Sequence, residues 1–379
     1  MRILHTSDLQ LGMTRWFFDA DAQARYLDDQ VATIGKMAAL ATERTVDAVV
    51  VAGDIFEDVI PDRRIVARAA EALRAFEVPV YLLAGNHDPR SPESVWSNES
   101  LLSKLGSTVH LLDAESTQVL CDGALEIVGA PWTSRRPDRD LVSERLIDLG
   151  PKNAGVTRVL VGHGVVDVLN PDRSNRNAIS LGRMEKAIED ALVDYVALGD
   201  HHSSLSVGAT GRVWYSGAPQ MTNFREIFAL TNRALVVDFG STVEVDAVVV
   251  GAWEFERPPI TASGRDLVDA MVRVLERGEN RSRRAIRFVL EGTVNLAERA
   301  EIDRLLDEAR DLFASAYISQ NSGNLSVVAN DEDLEKLTLG GYGDAAVAEL
   351  VNLSRRDGAG GDDALLALRT LYRLLEVTA

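Results

Sequence analysis

Short apolar runs recur along the first two thirds of the chain, and most stop abruptly at glycine and a polar group. Residues 2–5, 46–51, 78–83, 158–161 and 195–198 have the length and β-branched content of buried strands. Helical periodicity between them predicts helices over 23–44, over 100–105, over 183–192, and from Pro61 in a first turn to Phe76. Residues 109–112, 117–120 and 125–128 read as short antiparallel strands, and 204–209, 213–215, 234–239 and 243–250 complete the β segments. Pro258-Pro259 marks 254–260 as a linker. A small α+β pattern follows, with helices over 266–276 and 297–313 and strands over 286–290 and 317–320. A last helical segment starts at Asp344 and is interrupted by Gly358-Ala359-Gly360-Gly361. The expected domains are therefore 1–254, 260–335 and 344–379.

Five of the strands end in polar clusters: Asp8 and Gln10, Asp54, Asn86-His87-Asp88, His163, and Asp200-His201-His202. A single cluster reads as turn chemistry, since Asn and Asp are good turn formers. Five of them, each beside or within two residues of a glycine, converge on one surface if their strands share a sheet. The carboxyl ends of strands in an open α/β sheet are where ligands bind. Carboxylates, an amide and imidazoles together make a divalent-metal ligand set, with Mn, Fe, Zn and Mg in range.

Composition narrows the class. Of 379 residues, 46% are hydrophobic and 26% charged, as in a soluble globular protein with a full core. A formal charge of −18 disfavours non-specific adhesion to nucleic acid or an anionic membrane, so any nucleic-acid contact needs a local positive or metal-bearing site. Cys121 is the single cysteine, which excludes an intrachain disulfide and suits a reducing compartment. With no apolar span of membrane length and no signal-peptide pattern, a cytoplasmic protein is expected. His5, inside the first strand, reads as a core histidine and His110 as structural, while Asn223 and Arg225 suit either phosphate contact or a loop scaffold.

The ordered motifs Asp8-x-Gln10, Gly53-Asp54, Gly85-Asn86-His87-Asp88, Gly162-His163 and Gly199-Asp200-His201-His202 resemble those of the calcineurin-like metallophosphoesterases. Within that family the DNA-repair nucleases of the Mre11/SbcD group are the nearest likeness. Leu9-Gln10-Leu11-Gly12, Gly53-Asp54-Ile55-Phe56 and Tyr215-Ser216-Gly217 add to it, over roughly the first 330 residues. The resemblance implies a four-layer α/β/β/α sandwich with a small α+β capping domain and a C-terminal helical partner-binding segment. It implies two divalent ions, Mn²⁺ foremost and Mg²⁺ or Fe²⁺ also suitable. Asp8, Gln10, Asp54 and His202 would hold one, and Asp54, Asn86, His163 and Asp200 the other. His87 would then protonate the leaving oxygen, with Asp88 orienting it. The family usually has His at the position of Gln10 and Gly-His-x-His at 199–202, so this chain departs twice.

Phosphate esters need rate enhancements of about 10¹⁷ or more. One general acid or base supplies about 10²–10⁴, whereas a metal pair can generate the nucleophile and clamp both oxygens. The expected function is a metal-dependent DNA nuclease, exonucleolytic with endonuclease activity on single strands, acting in DNA repair. The partners expected by resemblance are DNA, an SMC/Rad50/SbcC-like ATPase, and a second copy of the chain as a homodimer. The rival readings are a cyclic-nucleotide or other small-molecule phosphoesterase, and a nuclease-inactive regulatory protein. Leu365, Leu368, Leu371, Leu374 and Leu375 form a helical stripe that must bury itself on the chain's own body or on that ATPase.

Overall fold

The computed structural model describes residues 1–98, 104–172, 174–226, 230–319, 325–330, 333, 337, 339–356 and 358–378. The chain forms two compact units: Met1–Trp16 with Gln23–Glu254, and Phe17–Ala22 with Phe255–Ala379.

The first unit holds two six-stranded sheets. One has the order β12 (Val243–Val249), β11 (Arg233–Phe239), β1 (Arg2–Thr6), β2 (Ala48–Val51), β3 (Val80–Leu82), β4 (Val109–Leu111). The other runs β5 (Thr117–Leu120), β6 (Leu125–Gly129), β7 (Thr157–His163), β8 (Tyr195–Gly199), β10 (Val213–Tyr215), β9 (Leu205–Val207). Strands β1 to β4 pair in parallel, as do β6, β7, β8 and β10. Strand β4 therefore extends the first sheet in parallel; of the three short strands expected to be antiparallel, only β5 and β6 pair that way.

Alternation along the strands builds the layers. Ala48 and Val50 face Ile127, Val159, Val161, Tyr195 and Ala197 of the other sheet in one fully buried cluster. Their neighbours Val49 and Val51 face the opposite way, against Ile34, Met37 and Ala41 of helix α1 (Ala20–Glu43) and Ala69, Ala70 and Leu73 of α2 (Arg63–Leu73). On the far side, Leu160, Val196 and Leu198 pack on the helices Leu141–Asp148 and Leu181–Glu189. This is the four-layer α/β/β/α sandwich. Apolar runs without alternation are what strands buried on both faces require.

Several local expectations change. Pro61 lies outside α2, whose cap is Asp62: its carboxylate accepts from Arg64 N at 2.7 Å, a stronger N-terminal signal than the proline. The helix Leu141–Asp148 was not expected; Asp140 caps it, accepting from Ser143 N. The helix expected over 100–105 lies mostly outside the described residues. The linker at 254–260 is instead β13 (Glu254–Glu256) and β14 (Pro259–Thr261), which flank the long β15 (Arg284–Val294). Pro259 is tolerated because it opens an edge strand, where no ladder donor is needed.

Strands β16 (Ser315–Ile318) and β17 (Leu325–Val327) also pair with β15, and the helices Arg265–Glu276 and Leu296–Leu312 belong to the same unit. Residues 344–379, expected as a separate segment, fold into it as the helices Tyr342–Ser354 and Ala359–Thr378. Gly360 and Gly361 lie inside the last helix, and Gly358, at φ +99°, lies in the turn between the two. The leucine stripe is largely consumed within the chain: Leu368 and Tyr372 are buried with Leu296, Ala300, Leu337 and Val347, while Leu365, Leu371 and Leu375 pack around them. Leu366 and Leu374 face outward.

Leu368→Ala should therefore destabilise the second unit by about 2–5 kcal/mol, the cost of a cavity at a fully buried leucine. Urea unfolding of the full chain measures it, and a loss below about 0.5 kcal/mol would mean that the stripe is not core.

Candidate metal centre

The five clusters sit on strands of two sheets rather than one. Asp8, Asp54 and Asn86 follow β1, β2 and β3, whereas His163 ends β7 and Asp200 follows β8. The carboxyl ends of both parallel sets meet at the seam between the layers. Backbone hydrogen bonds knit the seam: Trp132 N, beyond β6, donates to Ala84 O, beyond β3, at 3.0 Å, and Arg90 N donates to Trp132 O at 2.8 Å.

The turns that carry the side chains are strained. Asp8, Gln10, Asp54 and Asp200 all have left-handed backbone, with φ of 53°, 42°, 55° and 96°. Non-glycine residues adopt it rarely, and it costs on the order of 1–3 kcal/mol at each. Glycines allow the close approach. A Cβ on Gly85 would stand 2.1 Å from Asp54 Oδ1, and one on Gly53 2.1 Å from His163 Nδ1.

Asp8, Asp54 and His163 form the inner group, with ligand atoms all within 4.8 Å of one another and every side chain buried. His163 Nδ1 donates to Ala52 O at 2.8 Å, since a carbonyl can only accept. That contact turns Nε2 toward Asn86 Oδ1 at 2.8 Å, Asp54 Oδ1 at 3.5 Å and Asp200 Oδ1 at 3.9 Å. On the other side, His202 Nε2 lies 3.8 Å from Asp8 Oδ1 and 3.2 Å from Gln10 Nε2. Asp200 N donates to both Asp8 carboxylate oxygens, at 3.2 and 3.1 Å, and Ser7 Oγ donates to Asp8 Oδ2 at 2.5 Å.

Charge is finely divided here. Burial pushes the Asp8 carboxyl up, and the nearby His202 and His163 imidazoles only partly offset that. Burial acts on Asp54 in the same direction, but His163 beside it draws the carboxyl below its ordinary value. Burial alone would lower both histidines. The Asp54, Asp8 and Asp200 carboxylates instead hold His163 well above its usual value, and Glu226 with Asp8 carries His202 to about 9.

Donor chemistry supports a cation in the same place. Three carboxylates, two imidazoles and two amides converge from five strand ends. Gln10 Oε1 is buried and has no hydrogen-bond partner among the described residues. A buried oxygen acceptor left unpaired is costly, and a hard cation satisfies it.

Other expected residues have other tasks. Asp88, expected to orient His87, has both oxygens occupied by backbone donors: Oδ1 by Gly85 N, and Oδ2 by Ile55 N and Phe56 N, at 2.9–3.1 Å. It ties the Asp54 turn to the Gly85 turn. Glu57 O holds His87 instead, accepting from Nδ1 at 2.9 Å, while His87 N donates to Asp54 Oδ1 at 3.0 Å. His87 Nε2 is left 4.0 Å from Asp54 Oδ2 on a ring about a third exposed. His201 is drawn away, with Nδ1 bonded to Ser203 O and its ring tilted on Tyr215. Asn223 serves the loop, donating to Glu226 Oε1 at 2.7 Å, and Arg225 is exposed. His5 is a core histidine against Tyr195, its basicity reduced by burial to a pKa of about 3, and His110 stacks on Tyr81. Sequence reasoning missed Glu226, Thr222 and the Ala52 and Glu57 carbonyls. None of these lies in a motif or shows a local pattern.

A family model described as calcineurin-like phosphoesterase matches residues 1–251. The chain is 28% identical over 257 residues to the SbcD component of the nuclease SbcCD from Bacillus subtilis, covering 60% of this chain and 63% of that one. It is 27% identical over 258 residues to the component of the same name in Escherichia coli K12, covering 60% and 62%. A shorter stretch of 109 residues is 32% identical to the DNA double-strand break repair protein Mre11 of Archaeoglobus fulgidus, covering 28% and 23%. The chain thus spans a little under two thirds of the SbcD proteins it matches. Among the described residues, no helix is long and apolar enough to cross a membrane.

The raised His202 value fixes a pH dependence. Its folded-state pKa of about 9 exceeds the ordinary 6.5, so its contribution is fully present below pH 6.5 and is lost as pH rises to about 9. The shift corresponds to about 3 kcal/mol. Thermal melts of chelator-treated protein should fall by several degrees between pH 6.5 and 9, and by less in His202→Gln. Equal falls in the two proteins would remove His202 as the source.

Proposed function

Because the chain belongs to the calcineurin-like phosphoesterase family, we propose that it is a divalent-metal-dependent phosphodiesterase acting on DNA, a repair nuclease of the SbcD/Mre11 kind. One observation carries the reading. Buried Asp8, Asp54 and His163 present ligand atoms within 4.8 Å of one another at a seam that Asn86, Asp200, Gln10 and His202 also reach.

In this reading Asp8, Gln10, Asp54 and His202 would hold one ion, and Asp54, Asn86, His163 and Asp200 the other. The chemistry such ions supply when bound is Lewis-acid activation of water and neutralisation of phosphate charge. Each shell has three oxygens and one imidazole, which suits Mn²⁺ or Mg²⁺ better than Zn²⁺. Three carboxylates against two dications leave about one net positive charge. On a chain of formal charge −18, that local sign is what draws a phosphodiester in.

His87 supplies the acid. Glu57 O fixes its Nδ1–H, so Nε2 is the atom that protonates the leaving oxygen. Asp88 acts at one remove by holding the Gly85–Asp88 turn against Ile55 and Phe56. We assign residues 1–254 to the reaction and 260–335 to a small α+β capping domain. An SMC/Rad50/SbcC-like ATPase is the proposed partner, since the named SbcD relatives are parts of a larger nuclease. The outer face of 344–379, where Leu366 is exposed, is the part left for it.

Cleavage of linear and single-stranded DNA in Mn²⁺, set beside a cyclic nucleotide, tests the substrate class. Hydrolysis of the cyclic nucleotide alone would replace DNA by a small molecule. Metal uptake with no cleavage of either would make the chain a regulatory protein. His87→Gln should keep both ions and lose about 10²–10⁴ in cleavage rate; a rate within about twofold of the parent removes His87 from the chemistry. Asp200→His should shift preference toward softer metals such as Zn²⁺, read by competition titration. Unchanged selectivity would place Asp200 outside the ligand set.

A further inference from the structure

The two metal-facing imidazoles are supported in different ways. His163 Nδ1 rests on a neutral backbone carbonyl, Ala52 O. His202 Nδ1 instead meets a carboxylate, Glu226 Oε1, at 3.0 Å, and the Thr222 hydroxyl at 2.7 Å. The Glu226 side chain is 5% exposed, and its remaining capacity is filled. Thr222 N donates to Oε2 at 3.0 Å, Asn223 Nδ2 donates to Oε1 at 2.7 Å, and the Thr222 hydroxyl also bonds Oε1.

The loop bearing these groups is pinned from three sides. Arg15 Nε donates to Thr222 O at 2.7 Å, Tyr26 OH to Met221 O at 2.9 Å, and Met221 N to Asn232 Oδ1 at 2.7 Å. The carboxylate is therefore delivered to the back of His202 by construction. It stands on the half of the centre whose other non-carboxylate ligand is Gln10, a neutral amide in place of an imidazole. An anion behind an imidazole fixes which nitrogen faces the metal and raises that nitrogen's donor strength.

We infer that Glu226 is a positioning residue for metal binding. Through His202 it tightens the Asp8–Gln10–His202 half of the centre and makes up for the weaker amide ligand at position 10. The Asp54–Asn86–His163–Asp200 half does not depend on it. This rests on the two-ion reading above and assigns that reading's support unequally.

The test is titration of Mn²⁺ into chelator-stripped full-length protein by calorimetry, with bound ions counted by electron paramagnetic resonance. Glu226→Gln keeps the shape and removes the charge. One of the two dissociation constants should weaken about 10–100-fold, the other staying within about twofold. In a His202→Ala background the same change should cost nothing further, which a merely structural role would not reproduce. The inference is overturned if both constants in Glu226→Gln match the parent, if both weaken equally, or if the loss persists without His202. Should Glu226→Gln not fold, Thr222→Val carries the test by removing the hydroxyl the two side chains share. It should weaken the same step about tenfold, and no change overturns the inference. A wild-type chain that takes up no Mn²⁺ overturns instead the metal-centre reading itself.

Discussion

Two carboxylates buried side by side govern this molecule. The Asp8 and Asp54 side chains are 0% and 2% exposed, and burying an uncompensated anion costs several kcal/mol. The surrounding structure is arranged to meet that cost. His163 and His202 bring positive charge, Asp200 N and Ser7 Oγ donate to Asp8, and His87 N donates to Asp54. Such compensation balances the buried carboxylates, and the same groups are the ones proposed above to hold the cations.

That requirement explains the strained turns. A carboxylate can be aimed into the seam directly from a strand end only if the backbone reverses sharply there, and Asp8, Asp54 and Asp200 do so with positive φ. The strain is borne by the surrounding parallel ladders and by the core on both faces of each sheet. Asp88 adds a second tie by gathering three backbone N–H groups from two turns. The supports of the site are backbone groups, the core, and buried side chains such as Asp88 and Glu226.

Gln10 and Asp200 give the centre its individual character. In the proposed two-ion centre, an amide and a carboxylate in place of imidazoles would make both shells harder and lower the net charge presented to phosphate. Each replacement keeps an electron-pair donor at its place. The Gln10 backbone is also held from behind, its main-chain carbonyl accepting from buried Gln30 Nε2 at 2.9 Å.

Much of the architecture was legible in the sequence, because strands and helices announce themselves within a few residues through periods of two and 3.6. The doubly buried runs at 46–51 and 158–161 and the polar clusters at their ends placed Asp8, Asp54, Asn86, His163 and Asp200 at strand termini. The sequence by itself also determined the family, since the order of those motifs is a one-dimensional property. Tertiary structure decided the rest. Whether five strand ends share one sheet or meet across a seam is invisible locally, as is the parallel pairing of β4. A leucine stripe says that a helix face must be buried, but not that Leu296 and Ala300 of its own chain will bury it. Support for the site is the extreme case: Ala52 O reaches His163 across 111 residues, and Tyr26 pins the Glu226 loop across 195. Backbone carbonyls carry no side-chain signature, and a glutamate in a loop reads as solvated. Only packing, which sets distances between residues far apart in the chain, could show that these groups hold the imidazoles in place.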